Sequence, residues 1–153
     1  MSGRLSAITS VAPELIATAT LAVETSGAGF SEITREARRF VADAGAQTGA
    51  LLLFMRHTSA SLVIQENADP DVRTDLATAL DRLAPTSAGW VHDVEGPDDM
   101  PAHVKTMLTD ISLLVPVIDG ALALGTWQGI YVAEHRTRPH LREIVLQFIG
   151  SKR

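Results

Sequence analysis

Asp119-Gly120, set between the apolar runs 113–118 and 121–124, restricts the fold of this chain more than any other feature. A two-residue type I′ turn needs positive φ at both central positions, which Asp and Gly tolerate, so the pair predicts a β-hairpin. The chain stays strand-like from Ile111 onward. Residues 129–135 and 141–149 read as two further strands, the last with clean alternation. Upstream, the Thr- and Val-rich segment 16–25 predicts a strand, and the unbroken apolar run 50–55 predicts a central one buried on both faces. Three helical patterns punctuate these strands. The first is capped by Ser31, carries Ile33, Ala37, Phe40, Val41 and Ala44 at helical spacing, and stops at Gly45. The second opens on Asp69-Pro70, with Val72, Leu76, Ala79, Leu80 and Leu83 as its expected buried stripe. The third starts near Asp98 or Asp99, because Pro101 is tolerated only in a first turn.

These elements predict an α+β domain: a mixed, largely antiparallel sheet with two to three helices packed on it. Residues 13–153 form that domain, and 1–12, which lack periodicity, read as a loosely held arm. At 153 residues with 46% hydrophobic and 20% charged side chains, one globular core is the expectation. The net charge of −5, with no basic run interleaved with aromatics, argues against nucleic acid as a partner. The absence of cysteine excludes disulfides, thiolate metal sites and a cysteine nucleophile. The apolar segment 11–23 is interrupted by Glu14 and is too short to span a bilayer, so no membrane partner and a cytoplasmic location are expected.

Titratable chemistry concentrates in residues 92–105, His-Asp-Val-Glu-Gly-Pro-Asp-Asp-Met-Pro-Ala-His-Val-Lys. Asp98 and Asp99 beside His92 and His103 put hard oxygen donors next to borderline nitrogen donors, a combination that suits a divalent cation. Asp99 and His103 stand four apart and share a helix face. A capping aspartate and a surface histidine would explain each residue singly; the convergence of the group points to a site. Lys105 reads either as a phosphate-pairing charge or as a solvated lysine.

In the segment 57–67, alternation puts His57, Ser59, Ser61, Gln65 and Asn67 on one strand face and Ala60, Leu62 and Ile64 on the other. The polar face could line a ligand cavity or simply meet solvent. No Gly-x-Ser-x-Gly elbow accompanies it, which argues against a Ser-His-Asp hydrolase. In Leu124-Gly125-Thr126-Trp127-Gln128-Gly129-Ile130, two glycines bracket an aromatic ring and two hydrogen-bonding side chains. That bend could present Trp127 to a planar ligand or bury it as core filler. At the next strand end, Glu134 offers a carboxylate for proton transfer or metal binding, and Arg136 a fork for phosphate. An exposed Glu134–Arg136 ion pair is the alternative.

His-Thr-Ser-Ala-Ser-Leu (57–62), Glu-Asn-Ala-Asp-Pro (66–70), His92, Gly-Pro-Asp-Asp-Met-Pro-Ala-His-Val-Lys (96–105) and Leu-Gly-Thr-Trp-Gln-Gly-Ile (124–130), in that order, resemble the YjbQ family, over roughly residues 15–150. Members of that family are named secondary thiamine-phosphate synthases. The resemblance implies a homotrimer and an activity joining an aminopyrimidine methyl diphosphate to a thiazole phosphate with release of diphosphate. Mapped onto this chain, it suggests a divalent ion, zinc or magnesium, held by His57, His92 and His103, with Asp98, Asp99 and Glu134 catalytic. Ser59, Ser61, Asn67, Lys105, Thr126, Trp127, Gln128 and Arg136 would contact small phosphorylated heterocyclic substrates. A trimeric metal- or metabolite-binding protein with incidental activity, or a metal-dependent phosphohydrolase, would use the same groups.

Overall fold

The structure, a computed structural model, describes residues 3–153. Eight strands and three helices follow in the order β1 (Leu15–Thr25), β2 (Gly29–Glu32), α1 (Thr34–Asp43), β3 (Ala46–Met55), β4 (Ala60–Glu66), α2 (Pro70–Leu83), α3 (Asp99–Leu108), β5 (Ser112–Ile118), β6 (Ala121–Leu122), β7 (Gln128–Glu134) and β8 (His140–Lys152). Residues 3–14 are exposed and carry no helix or strand; the first two positions of the expected arm, Met1 and Ser2, lie outside the described residues.

The strands form two sheets, not one: a five-stranded sheet in the order β1-β8-β3-β5-β6 and a three-stranded sheet in the order β2-β7-β4. The α+β class holds, and every pairing is antiparallel. Leu51, Leu53, Val115, Ile144 and Phe148 from the large sheet meet Leu62, Ile130 and Val132 from the small one, with Ile33, Ala37 and Val41 at and along α1 completing the core. An isolated bridge between Leu62 and Asp110 stitches β4 to the segment leading into β5.

Local chemistry explains where the elements start and stop. Asp119 (φ 51°) and Gly120 (φ 78°) both adopt positive φ, as the expected turn requires. Asp69 caps α2, its Oδ1 accepting from the Asp71 N–H at 2.9 Å, with Pro70 in the first turn. Ser31 does not cap α1. It lies in β2 opposite Val132, and the helix begins after Ile33. Two other expectations fail on burial. In β3, Leu52 and Phe54 face outward, Leu52 half-buried and Phe54 exposed, so the run is apolar on both faces but fully buried on one. None of the α2 stripe is buried, and Leu83 is 65% exposed.

Candidate metal centre

The N-terminus of α3 assembles the densest group of metal-ligating side chains. His92, Asp99 and His103 each offer one donor atom, and the three atoms lie within 4.8 Å of one another. His92 Nε2 is 2.8 Å from Asp99 Oδ2, and His103 Nε2 is 3.4 Å from the same oxygen. The helical i, i+4 spacing places His103 above Asp99, as the sequence predicts, while His92 arrives from the preceding loop. His103 Nδ1–H donates to the carbonyl of Thr58 at 2.8 Å, which fixes the ring and leaves the Nε2 lone pair toward Asp99. An imidazole anchored through its other nitrogen is the usual outer-shell arrangement of a metal-binding histidine.

Asp99 is 1% exposed. Burial alone would raise its pKa, but the His92 hydrogen bond and the charge of Arg136 hold it below the usual carboxylate range. It therefore remains an anionic oxygen donor. Arg136 grips the other carboxylate oxygen, Oδ1, through Nη1, reaches Asp98 Oδ2 with Nε at 3.1 Å, and donates to the Glu95 carbonyl at 2.8 Å. Asp98 does not cap α3 with its side chain. It accepts from the Thr137 N–H at 2.9 Å and from Arg136, bonds that outweigh its burial and hold its pKa down at about 2. Arg136 is thus saturated by carboxylates, and Asp98 acts as a brace between the α3 terminus and the loop after β7, not at an open reacting centre.

His57 does not join the three. Its Nε2 accepts from the Glu143 N–H at 2.9 Å, and burial together with Arg142 lowers its pKa. It meets His103 instead on the wall of a cavity of about 600 Å³, which Phe54, Met107 and Ile111 make largely apolar. Glu134 is also committed elsewhere. Its carboxylate is clamped by Arg142, Nε at 2.7 Å and Nη2 at 2.6 Å, and accepts from Thr25 Oγ1 at 2.8 Å. Burial pushes its pKa up, these bonds pull it further down, and the group stays ionised in a closed pair. The alternative of a Glu134–Arg136 ion pair is not realised; Arg136 gives Glu134 only its backbone N–H.

The serine row is neither solvated nor open. Ser59 Oγ accepts from Arg142, and Ser61 is fully buried between His135 and Thr109. Lys105 pairs with Asp81 on the α2 side of α3, away from the His92–Asp99–His103 face. The Thr126-Trp127-Gln128 bend lies at the far end of the small sheet. In the β4–β7 register Ala60 faces Glu134 and Glu66 faces Gln128, six residues apart, or roughly 20 Å at ~3.4 Å per residue. Trp127 is 64% exposed there, Asn67 N–H binds its carbonyl, and Gln128 Oε1 closes the turn onto Gly125. Within one chain, then, the serine-bearing end of β4 and the aspartate-led helix meet, and the tryptophan bend sits at the other end of β4.

Arg142, His135 and Thr137 carry much of the local architecture without having been singled out in the sequence. Arg142 had a signal: it shares the inward parity of Ile144, Leu146 and Phe148 on β8, and a charge on a core-facing position requires a buried partner.

Two antiparallel sheets sandwiching one core, with a two-histidine, one-carboxylate donor set at a helix start, define an α+β domain with a candidate metal centre. The family described as UPF0047 protein YjbQ-like matches residues 19–151, and the chain belongs to it. It is 46% identical over 132 residues to UPF0047 protein sll1880 of Synechocystis sp., covering 86% of this chain and 90% of that relative. It is 40% identical over 133 residues to UPF0047 protein YjbQ of Escherichia coli O157:H7, covering 86% and 96%. Among solved structures, a conserved YjbQ/UPF0047 family protein of Clostridium acetobutylicum superposes with a TM-score of 0.80 at 35% identity, covering 85% of this chain and 98% of the other.

Proposed function

We propose that the protein is a divalent-metal-dependent enzyme of phosphorylated heterocycle chemistry, with His92, Asp99 and His103 as the ligand set. The activity best matched to the residues is the thiamine-phosphate synthase type, coupling an aminopyrimidine methyl diphosphate to a thiazole phosphate. The observation that carries this reading is the convergence of three donor atoms within 4.8 Å at the edge of a cavity of about 600 Å³. Three protein ligands leave coordination positions free, the pattern of a catalytic rather than a closed structural site. When bound, a divalent ion there would neutralise charge on a departing diphosphate. The chain's own contribution is to hold the ligands: Thr58 orients His103, and Arg136 fixes Asp99 as an anion. The apolar wall of Phe54, Met107 and Ile111 suits a ring. Imidazole donors favour zinc, and the carboxylate also admits magnesium.

The partner implied by this reading is a second and third copy of the chain. Ile16, Ile149, Ala50 and Pro116 stand in register across four strands of the large sheet, and Leu52 and Leu114 continue the apolar face one step along it. Leu114 is 69% exposed and Phe54 42%. An apolar patch of this kind, bordered in the Leu52–Leu114 row by Gln147 and Thr18, supports burial against other copies, as in a homotrimer. Trp127 would serve a ring pocket only across a boundary between copies. The alternative, a trimeric metal-binding protein with incidental activity, is favoured by the closure of Glu134, the carboxylate expected to move protons, into the Arg142 clamp.

The test is turnover of the two phosphorylated precursors by purified protein, before and after removal of metal with a chelator, and by Asp99→Asn. The expected result is product formation above background that falls at least tenfold on chelation and in the variant. Turnover unchanged by both would remove the metal from the reaction, and no turnover by the metal-loaded protein would favour the binding-protein alternative.

A further inference from the structure

We propose that the cleft between α2 and α3 is a second ligand site, selective for a phosphate group over sulfate, built on Lys105 Nζ and His135 Nδ1. Two adjoining hollows of about 200 and 370 Å³ share Ala28, Asp81, Lys105 and His135. They lie on the opposite side of α3 from the three metal-ligating groups, so this site stands or falls independently of the metal reading.

The ammonium of Lys105 supplies the charge. Lys105 is 8% exposed, and its anionic partner is the Asp81 carboxylate, on a side chain that is 73% exposed. A buried cation whose counterion comes from the solvent edge is an exchangeable pair, in which Asp81 occupies the place of an incoming oxyanion. The element carrying Asp81 is lightly held. None of α2 is buried, and its side-chain hydrogen bonds to other elements are Asp81 with Lys105 and Arg73 with the Tyr131 hydroxyl.

His135 supplies the selectivity, because its tautomer follows from a chain of hydrogen bonds. Thr109 Oγ1 is 2.7 Å from the Lys105 carbonyl, which has no proton to give, so the Thr109 hydroxyl donates there. At the 2.7 Å contact between Thr109 and Ser61 the proton must then come from Ser61. Ser61 Oγ therefore accepts from His135 Nε2 at 2.8 Å, and that nitrogen carries the ring proton. Nδ1 is left as a bare acceptor. It has no hydrogen-bond partner among the described residues, yet no buried side-chain nitrogen or oxygen is sealed off without one, so Nδ1 opens onto the hollows that His135 lines.

A donor cation beside a neutral acceptor recognises an oxyanion that bears a proton. Inorganic phosphate, or a phosphate monoester in its monoanionic form below its second pKa of about 6, offers a P–OH to Nδ1 and a charged oxygen to Lys105, whereas sulfate has no proton to offer and confronts the Nδ1 lone pair. The other charges on the walls act in the same sense. Glu134 is neutralised by Arg142 and Asp98 by Arg136, but their negative ends still disfavour a fully ionised dianion. Sites built to accept a ligand proton reject analogues that lack it by large factors.

The experiment is calorimetric titration of metal-free protein with inorganic phosphate, glycerol 1-phosphate and sulfate, for the wild type and for Asp81→Asn, Lys105→Met and His135→Met. At pH 5.5, below the monoester's second pKa of about 6 and with His135 still neutral, both phosphates are expected to bind at least tenfold more tightly than sulfate. Asp81→Asn, at the solvent edge, removes the internal competitor and should tighten phosphate binding several-fold. Lys105→Met should abolish it, and His135→Met should erase the preference over sulfate. Equal affinity for phosphate and sulfate in the wild type, or weaker phosphate binding in Asp81→Asn, would overturn the proposal. Because no metal is present, either result leaves the reading of His92, Asp99 and His103 untouched.

Discussion

His135 links burial to a measurable pH dependence. Its burial, reinforced by Lys105, lowers its pKa from 6.5 to about 4, so the folded protein keeps the ring neutral while the unfolded chain protonates it. Stability from this residue is complete above pH 6.5 and declines as the pH falls toward 4, at about 1.4 kcal/mol per pH unit. Urea denaturation at pH 7 and pH 4.5 should show a loss on the order of 2 to 3 kcal/mol that is smaller in His135→Met. An equal loss in both proteins would mean that other groups set the acid sensitivity. Glu134 has the same sign in a lower window: its depressed pKa keeps its contribution intact until the pH drops below the ordinary carboxylate range.

At the scale of elements, the hairpin turn, the α2 cap and the α3 start were legible in the sequence because each is set by residues adjacent in the chain. Asp119-Gly120, Asp69-Pro70 and Pro101 impose backbone geometry on themselves. Gly120→Ala should cost about 1 kcal/mol, since φ there is 78° and the new methyl would also press on Arg153. A thermal midpoint equal to wild type would show that the turn relaxes freely. What sequence could not supply was pairing at a distance. Asp99 and His103 were readable as one face of α3, but the allocation of Arg136 to Asp98 and Asp99, and of Arg142 to Glu134, depends on how β7 and β8 end beside that helix. The helical period of α2 likewise gave an apolar stripe without showing that Val72, Leu76 and Leu80 are only half-buried and that Ala79 and Leu83 are exposed.

For the whole molecule, the two-sheet arrangement decides which groups can cooperate. Closing β4 against β7 in antiparallel register puts the Ser59 and Glu134 ends together and sends the Trp127 bend to the opposite end. The same topology turns one face of the large sheet inward and leaves Phe54, Leu114 and Ile118 outside. No helix among the described residues is long and apolar enough to cross a membrane. On the trimer reading, Leu114→Lys should shift sedimentation of the protein from the trimeric to the monomeric mass, because a charge in a buried apolar patch lacks a partner. A wild type that sediments as a monomer at working concentration would contradict that assembly.

The central claim is that His92, Asp99 and His103 form one metal-binding unit, and direct zinc titration of chelator-treated protein tests it most closely. The account predicts one equivalent of zinc per chain, with affinity reduced at least tenfold in both His92→Ala and His103→Ala and unchanged in Trp127→Ala. Equal zinc affinity in the wild type and the two histidine variants would contradict it.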